Sequence, residues 1–177
     1  KSEELMMWRR RFPKAIMMGC STAGEIAGER VSENSTVVTA VNFNSVRLAY
    51  QLAEVEKTAD SKKAGEQLGR ELNREELKHV FVLSDGLLVN GTQLVNGLRQ
   101  SLPENVSVTG GLAGDGPHFE QTYVITNEGA ARQKAVVALG LYGKNLEVGA
   151  GSGYAALPTS ITLEGPSGGS VSADPNA

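Results

Sequence analysis

Residues 79–103 read HVFVLSDGLLVNGTQLVNGLRQSLP, and this stretch decides the fold class. The first part, up to Leu83, is an apolar run rich in β-branched residues, which is typical of a buried strand. A turn follows, made of residues that favour tight loops: Ser84, Asp85 and Gly86. Asn90 then suits the cap of a helix, and Pro103 ends the apolar stripe of that helix. The order strand, loop, helix predicts an α/β domain.

Two further segments repeat the pattern of a strand that runs into a small-residue loop. Residues 14–19 lead into the loop 19–25, and residues 106–109 lead into the loop 110–116. The two loops have similar sequences, and a β-rich segment follows each of them. The fold class predicted here is therefore a mixed α/β domain, a mixed β-sheet with two main helices, and two related β-rich halves are one interpretation of it.

Helices are predicted wherever apolar residues recur at helical spacing. One helix lies near the start of the chain and ends before Pro13. Another begins at Asp60, which suits a cap, and its apolar face consists of Ala64, Leu68 and Leu72. This helix and the one that follows Asn90 are the two main helices of the predicted domain.

The remaining strands are predicted from alternating or β-branched runs. Residues 36–43 and 46–53 read as a hairpin, because Asn44 and Ser45 between them suit a two-residue turn. Further strands are expected over residues 122–126, 135–142 and 146–150.

The composition excludes several classes of protein. The 177 residues carry a formal net charge of -3, so a surface that binds nucleic acid is not expected. No apolar run approaches the roughly 18 to 20 residues that a membrane-spanning helix needs. The one cysteine, Cys20, cannot form an internal disulfide, and together with only two histidines it makes a zinc site implausible. We therefore expect a cytoplasmic protein without a metal, membrane or nucleic-acid partner.

The three small-residue loops form the candidate ligand site. Each carries one acid, and α/β sheets bind ligands at strand ends because backbone N–H groups point outward there. Glycines allow close approach, hydroxyls donate hydrogen bonds and a carboxylate neutralises an amine, which suits a small zwitterion such as an amino acid. The same residue types also build turns, so a structural role is the alternative. The predicted ligand-binding residues are Cys20, Ser21, Thr22, Gly24, Glu25, Ser84, Asp85, Gly86, Asn90, Gly110, Gly111, Gly114 and Asp115.

An acyl- or amide-transfer enzyme is the alternative from a different functional class. Cys20 or Ser84 would be the nucleophile, His118 the base, and Asp85 or Asp115 the residue that orients the base. No Gly-x-Ser-x-Gly pattern surrounds Ser84, and Cys20 equally suits a small buried apolar position. We therefore predict a binding protein without catalytic residues.

The two histidines are interpreted differently. His79 follows Lys78 at the start of a strand and is expected to be an exposed residue at the strand's edge. His118 lies beside Pro117 in a loop, where an axial haem ligand is conceivable, although a solvated position is favoured. No cofactor is therefore predicted, with haem as the open alternative.

Three motifs, in this order and spacing, resemble the N-terminal part of a FIST domain. They are Gly19-Cys20-Ser21-Thr22-Ala23-Gly24-Glu25-Ile26, Leu83-Ser84-Asp85-Gly86-Leu87 with Asn90-Gly91-Thr92, and Thr109-Gly110-Gly111-Leu112-Ala113-Gly114-Asp115-Gly116. The closing segment AVVALGLYG, residues 135–143, also fits, so the resemblance covers roughly residues 5–155.

The resemblance implies a sensory module of a signal-transduction protein that binds a small ligand such as an amino acid. The implied partners are a C-terminal FIST region or a signalling output domain such as a kinase, and a homodimer is a further expectation. Some members of the family bind haem, sense nitric oxide and regulate a histidine kinase, which makes a haem-based sensor the alternative within the family.

The resemblance also sets the expected domain boundaries. Residues 1–158 would form one FIST-like domain that lacks the family's first strand-helix unit, and residues 159–177 a flexible tail rich in Ser, Gly and Pro. If that first strand is absent, one edge of the sheet lies open unless a partner or the tail covers it.

Overall fold

The structure, a computed structural model, describes residues 2–148, 161–164 and 170–173. In chain order the elements are α1 (Ser2–Arg11), β1 (Gly19–Cys20), β2 (Glu25–Ala27), β3 (Arg30–Ser32), β4 (Arg47–Glu54), a 3-10 helix (Thr58–Asp60), α2 (Ser61–Leu72), β5 (Leu77–Ser84), α3 (Gly91–Ser101), β6 (Ser107–Leu112), β7 (Val124–Ile125), β8 (Ala131–Arg132), β9 (Ala135–Tyr142), β10 (Ile161–Glu164) and β11 (Ser170–Ala173). Mixed sheets combined with helices confirm the predicted α/β class.

A four-stranded sheet in the order β4-β9-β5-β6 carries most of the core. β5 and β6 are parallel, because the chain crosses between them through α3, whereas β9 is antiparallel to both of its neighbours. The pairing of β4 with β9 is continuous from Arg47 opposite Tyr142 to Glu54 opposite Ala135. Among the described strands, β4 and β6 are therefore the two edges of this sheet.

Helices α2 and α3 cover one face of the sheet with their apolar sides. The predicted apolar face of α2 is buried, as are Leu94 and Leu98 of α3. The two helices approach each other backbone to backbone. A Cβ at Gly65 would overlap the carbonyl oxygen of Leu94, and a Cβ at Gly97 would overlap that of Lys62. Only glycine allows so close a contact.

The opposite face of the sheet is covered by the small sheet β1-β7-β8. The buried residues between the two sheets are Val124, Ala135 and Val137. Half-buried side chains surround them, among them Cys20, Tyr50 and Leu83. Helix α1 is held near β7, because the Arg9 guanidinium donates to the carbonyl oxygen of Asn127 at 3.3 Å.

The helix termini follow the sequence signals in part. The side chain of Asn90 accepts a hydrogen bond from the Gln93 N–H at 3.0 Å, which confirms the predicted cap of α3. Asp60 precedes α2 as predicted, but its side chain makes no capping hydrogen bond. Helix α1 ends before Pro13, as predicted. Within the described ranges, none of the helices has the length and apolar character needed to cross a membrane.

The predicted hairpin of residues 36–43 and 46–53 is wrong. Its second arm is β4, but β4 pairs with β9, and residues 36–43 belong to no strand. Val38 and Val41 are 57% and 64% exposed. The turn signal at Asn44 and Ser45 is local and does not by itself pair residues 36–43 with β4, whose described partner is the buried strand β9. The strand pair that follows the first of the two similar loops is instead β2 with β3, in which Glu25 lies opposite Ser32.

Several other strands have different limits from those predicted. The strand over 14–19 is reduced to β1, because the N–H of Met17 donates to the Asn127 side chain instead of a neighbouring strand. The strand over 122–126 is reduced to β7, whereas the one over 106–109 extends through Gly110 and Gly111 into Leu112. Residues 146–148 form no strand, and residues 149–150 of the same prediction lie outside the described residues.

The described part of the predicted tail contains a pair of strands. β10 and β11 are antiparallel, with Ile161 opposite Ala173 and Glu164 opposite Ser170. The rest of residues 159–177 lies outside the described residues, so its flexibility stays a prediction.

Candidate functional site

Asp85 lies just beyond the carboxyl end of β5, where it ties two parts of the backbone together. The residue is only 3% exposed. Its Oδ1 accepts the N–H groups of Leu87 at 2.9 Å and Leu88 at 2.7 Å, and its Oδ2 accepts that of Lys134 at 3.0 Å. Because three backbone donors already occupy this carboxylate, its role in the structure is to fix the loop after β5.

The loop after β6 packs directly on the loop after β5. The Ala113 N–H donates to the carbonyl oxygen of Ser84 at 2.8 Å. A Cβ at Gly86 would overlap the Ala113 carbonyl oxygen, so the two loops meet through their backbones. Within β6, Gly110 has a φ of 155°, and a Cβ there would overlap the Val82 carbonyl oxygen. Glycine is therefore required at both positions.

The loop after β1 joins the same group through Ser21. The Ser21 carbonyl oxygen accepts the Gly114 N–H at 2.8 Å, and the Ser21 N–H donates to Tyr123 at 2.8 Å. The Ser21 hydroxyl accepts the N–H of Tyr123 at 3.0 Å. The Ser21 oxygen thus accepts a backbone N–H, and this bond leaves the O–H of the same hydroxyl as the predicted donor. All three predicted loops nevertheless meet at the carboxyl ends of β5 and β6, as the sequence interpretation required.

Glu25 is the acid of the first loop, and Thr22 and Ser35 are among its partners. Its Oε1 accepts the Thr22 hydroxyl at 2.6 Å. Its Oε2 accepts the Ser35 hydroxyl at 2.7 Å and the Ser35 N–H at 3.2 Å. Thr22 is exposed and Glu25 is half-buried, so this carboxylate lies close to solvent beside the meeting point of the loops.

Asp115 and His118 close the third loop on itself. The Oδ2 of Asp115 accepts the N–H groups of Glu120 at 3.0 Å and Gln121 at 2.9 Å, and these two bonds lower the pKa of its carboxyl. The imidazole Nδ1 of His118 lies 3.2 Å from the Asp115 carbonyl oxygen, and the residue is exposed. The Asp115 and His118 side chains therefore both contact backbone atoms of their own loop.

The candidate nucleophiles are not arranged for attack. Cys20 is half-buried against the second core cluster, and burial raises the pKa of its thiol, which disfavours the thiolate. Ser84 is 1% exposed, and its hydroxyl lies 3.3 Å from the Asp85 carbonyl oxygen. No hydrogen bond among the described residues joins His118 to Cys20 or Ser84.

The remaining predicted residues have mixed roles. Asn90 is occupied as the cap of α3, and its N–H donates to the Ser61 hydroxyl at 2.9 Å. Gly114 lies in tightly packed backbone, since a Cβ there would come 3.0 Å from the Ala23 nitrogen, whereas a Cβ at Gly24 would make ordinary contacts, the nearest at 3.5 Å. Gly111 has open space around its Cβ position and is exposed, so its backbone is accessible to a ligand.

Two contacts that organise the site were missed by the sequence interpretation. The buried Thr122 hydroxyl accepts the Gly86 N–H at 2.9 Å, and Ser35 binds Glu25 from ten residues away. Neither residue lies in a glycine-rich loop, and each partner is distant along the chain. A single sequence carries no signal for such contacts.

The prediction that His79 is exposed is wrong. The residue is 6% exposed, because β5 is flanked on one side by β9 and on the other by β6. Its Nδ1 lies 2.7 Å from the Ser107 hydroxyl and its Nε2 lies 2.9 Å from the Thr109 hydroxyl. Burial lowers the pKa of this imidazole.

Cavities occur away from the three loops. One of about 400 Å³ lies near the start of β5, between Asn73 and Lys78 and beside Pro103. Another, of about 240 Å³, lies beside α2 and is lined by Glu54 and Glu56. Neither is lined by a predicted site residue. Across residues 2–148, no group of three or more His, Cys, Asp or Glu side chains could hold a metal ion.

Comparison with known proteins identifies a family to which the chain is similar. A family model described as the FIST N domain matches residues 2–163 of the 177. No curated protein matches the chain.

Proposed function

The chain belongs to the FIST N domain family, and from this membership we propose that it is the ligand-binding sensory domain of a signal-transduction protein. FIST domains are sensory domains in signal transduction, and this is the general function of the family. The ligand proposed here is a small polar metabolite with an amine, such as an amino acid. The signalling partner proposed is a C-terminal FIST region or an output domain such as a kinase.

The convergence of the three family motifs is the observation that carries the proposal. Backbone bonds from Gly114 to Ser21 and from Ala113 to Ser84 bring the three loops to one place. A ligand that touches two loops at this place would restrain their relative motion. Ligand contacts would then shift the population of loop conformations and alter the surface offered to the partner.

The hydrogen-bond partners of the three loop acids differ, and this difference supports one of them as the group that would bind the amine. Asp85 and Asp115 each serve backbone N–H groups of their own loops. Glu25 is half-buried and accepts one backbone N–H, that of Ser35, together with two hydroxyls, from Thr22 and Ser35, which a ligand's ammonium group can replace. Glu25 is therefore the residue that we propose for neutralising the amine, with Thr22 and the Gly111 backbone as further ligand contacts.

A thermal-shift screen against amino acids, related metabolites and haem tests the proposal. A ligand at one hundred times its dissociation constant stabilises the folded state by about 2.7 kcal/mol, or about 5 to 10 °C for a chain of this size. Glu25→Gln should abolish the shift. Glu71→Gln, which removes the same charge from helix α2, should retain it.

The other outcomes would each contradict the proposal in a different way. A shift that survives Glu25→Gln would move the ligand elsewhere. A Soret band on adding haem, lost on replacing His118, would favour the haem sensor. Stabilisation by none of the compounds would favour an interaction module without a small ligand.

A further inference from the structure

Residues 36–43 form an unpaired segment with the sequence of a strand. They read TVVTAVNF, and β-branched and aromatic residues of this kind prefer a pleated, half-buried surface. No hydrogen bond joins any of these eight residues to the rest of the described chain. Val37, Val38 and Val41 are exposed. The segment therefore has both the sequence and the free backbone of a strand without a partner.

The outer edge of β4 offers the matching partner. One side of β4 is bonded to β9 along all of its eight residues, and the other side faces no described strand. Residues 44–46 alone separate this edge from the unpaired segment. An open edge of this length is a template for one more strand.

The side chains of the two segments fit one register. A two-residue turn at Asn44 and Ser45 would place Val41 opposite Leu48 and Val37 opposite Leu52. Leu52 packs against the second core cluster, on the face away from α2 and α3. Pairing in this register would therefore extend an apolar face that already exists, and would cover two exposed valines.

Two features hold the segment away from this edge. Ser35, which immediately precedes the segment, is bound to Glu25 through both its hydroxyl and its N–H. Neither Asn44 nor Ser45 has a positive φ, whereas the favoured two-residue hairpin turn needs positive φ at one or both positions. Asn tolerates that conformation better than most residues, so the change is accessible.

We propose that residues 36–43 are a switch strand, which pairs with the outer edge of β4 in the same chain when Ser35 is released from Glu25. The coupling rests on the proposed function, because the amine of the ligand would take the Glu25 carboxylate from Ser35. Binding would then close an open sheet edge and change the surface that a signalling partner meets.

Disulfide trapping tests the pairing without any ligand, so failure of ligand binding cannot be confused with failure of the switch. In a Cys20→Ser background, Val38→Cys is combined with Gln51→Cys, since these positions are directly opposite in the register. The control combines Thr39→Cys with Gln51→Cys, which point to opposite faces of the sheet. Formation of the disulfide is followed by non-reducing electrophoresis and mass spectrometry.

An intrachain disulfide is expected for the first pair and not for the control. Adding Glu25→Gln, which loses a charge-assisted hydrogen bond to Ser35, should raise the rate of trapping about tenfold. Adding Asn44→Pro, which forbids a positive φ, should prevent trapping. No disulfide in any variant, or equal trapping in the control, would overturn the pairing. A disulfide-linked dimer would assign the edge to a second copy instead. An unchanged rate of trapping with Glu25→Gln would overturn the proposed role of the contact between Ser35 and Glu25.

Discussion

Replacing Asp85 by Asn should destabilise the fold through the backbone donors that its carboxylate serves. An Asn side chain can still accept the Leu87 and Leu88 N–H groups through its one oxygen. Its NH2 group would then face the Lys134 N–H, where Oδ2 now accepts at 3.0 Å. Two donors would be opposed in a site that is 3% exposed, and the other two bonds would lose their charge.

The loss of stability expected for Asp85→Asn follows from these contacts. Loss of one charge-assisted bond, with a buried donor left unpaired, costs about 2 to 4 kcal/mol. For a chain of this size that lowers the melting temperature by about 5 to 15 °C. Thermal unfolding followed by circular dichroism measures the change. Asp60→Asn is the control, since its side chain caps no helix and the variant should stay within about 0.5 kcal/mol of the parent. An Asp85→Asn variant that melts with the parent would refute the structural role.

Three further predictions concern other parts of the molecule. In urea unfolding, Gly97→Ala should lower the free energy of unfolding by about 1 to 3 kcal/mol, because its Cβ would meet the Lys62 carbonyl oxygen. Gly111→Ala is the control, since its Cβ would meet no other atom and the variant should be nearly neutral. The lowered pKa of His79 means that the unfolded chain binds its proton more tightly, so stability should fall as pH drops below the ordinary histidine value of 6.5. Unfolding from pH 5 to pH 8 should show this slope, and His79→Gln should reduce it. Iodoacetamide should alkylate Cys20 more slowly in the folded protein than in urea, because burial raises the pKa of the thiol; equal rates would contradict its half-buried position.

The elements that the sequence predicted well are those whose signals are local. α2 and α3 follow from apolar residues at helical spacing, and Asn90 caps its helix through a bond to a residue three positions away. β5 and β9 are long apolar runs, and such runs are buried whichever strands they pair with. The helices are determined by contacts between residues that are close in sequence, and the two strands by their own apolar composition.

The elements that were predicted poorly depend on partners far along the chain. β4 was recognised as a strand, but its pairing with β9, far along the chain, has no local signal, and its other edge is left unpaired by residues 36–43. His79 was placed at an edge because its position beside Lys78 gave no sign that β6 would cover it. The meeting of the three loops was anticipated, whereas the commitment of Asp85 to Lys134 was not.

The backbone contact between α2 and α3 limits how a signal can pass through this domain. Sliding of packed helices is a common means of transmission, and it needs side chains that can exchange one set of grooves for another. Here Gly65 and Gly97 each face the partner's main chain, so a shift by one residue would drive a Cβ into a carbonyl group. Helices α2 and α3 therefore move as one rigid unit. A signal that leaves this domain must travel through the loops and sheet edges that surround it, and substitutions that tune the response should accumulate there.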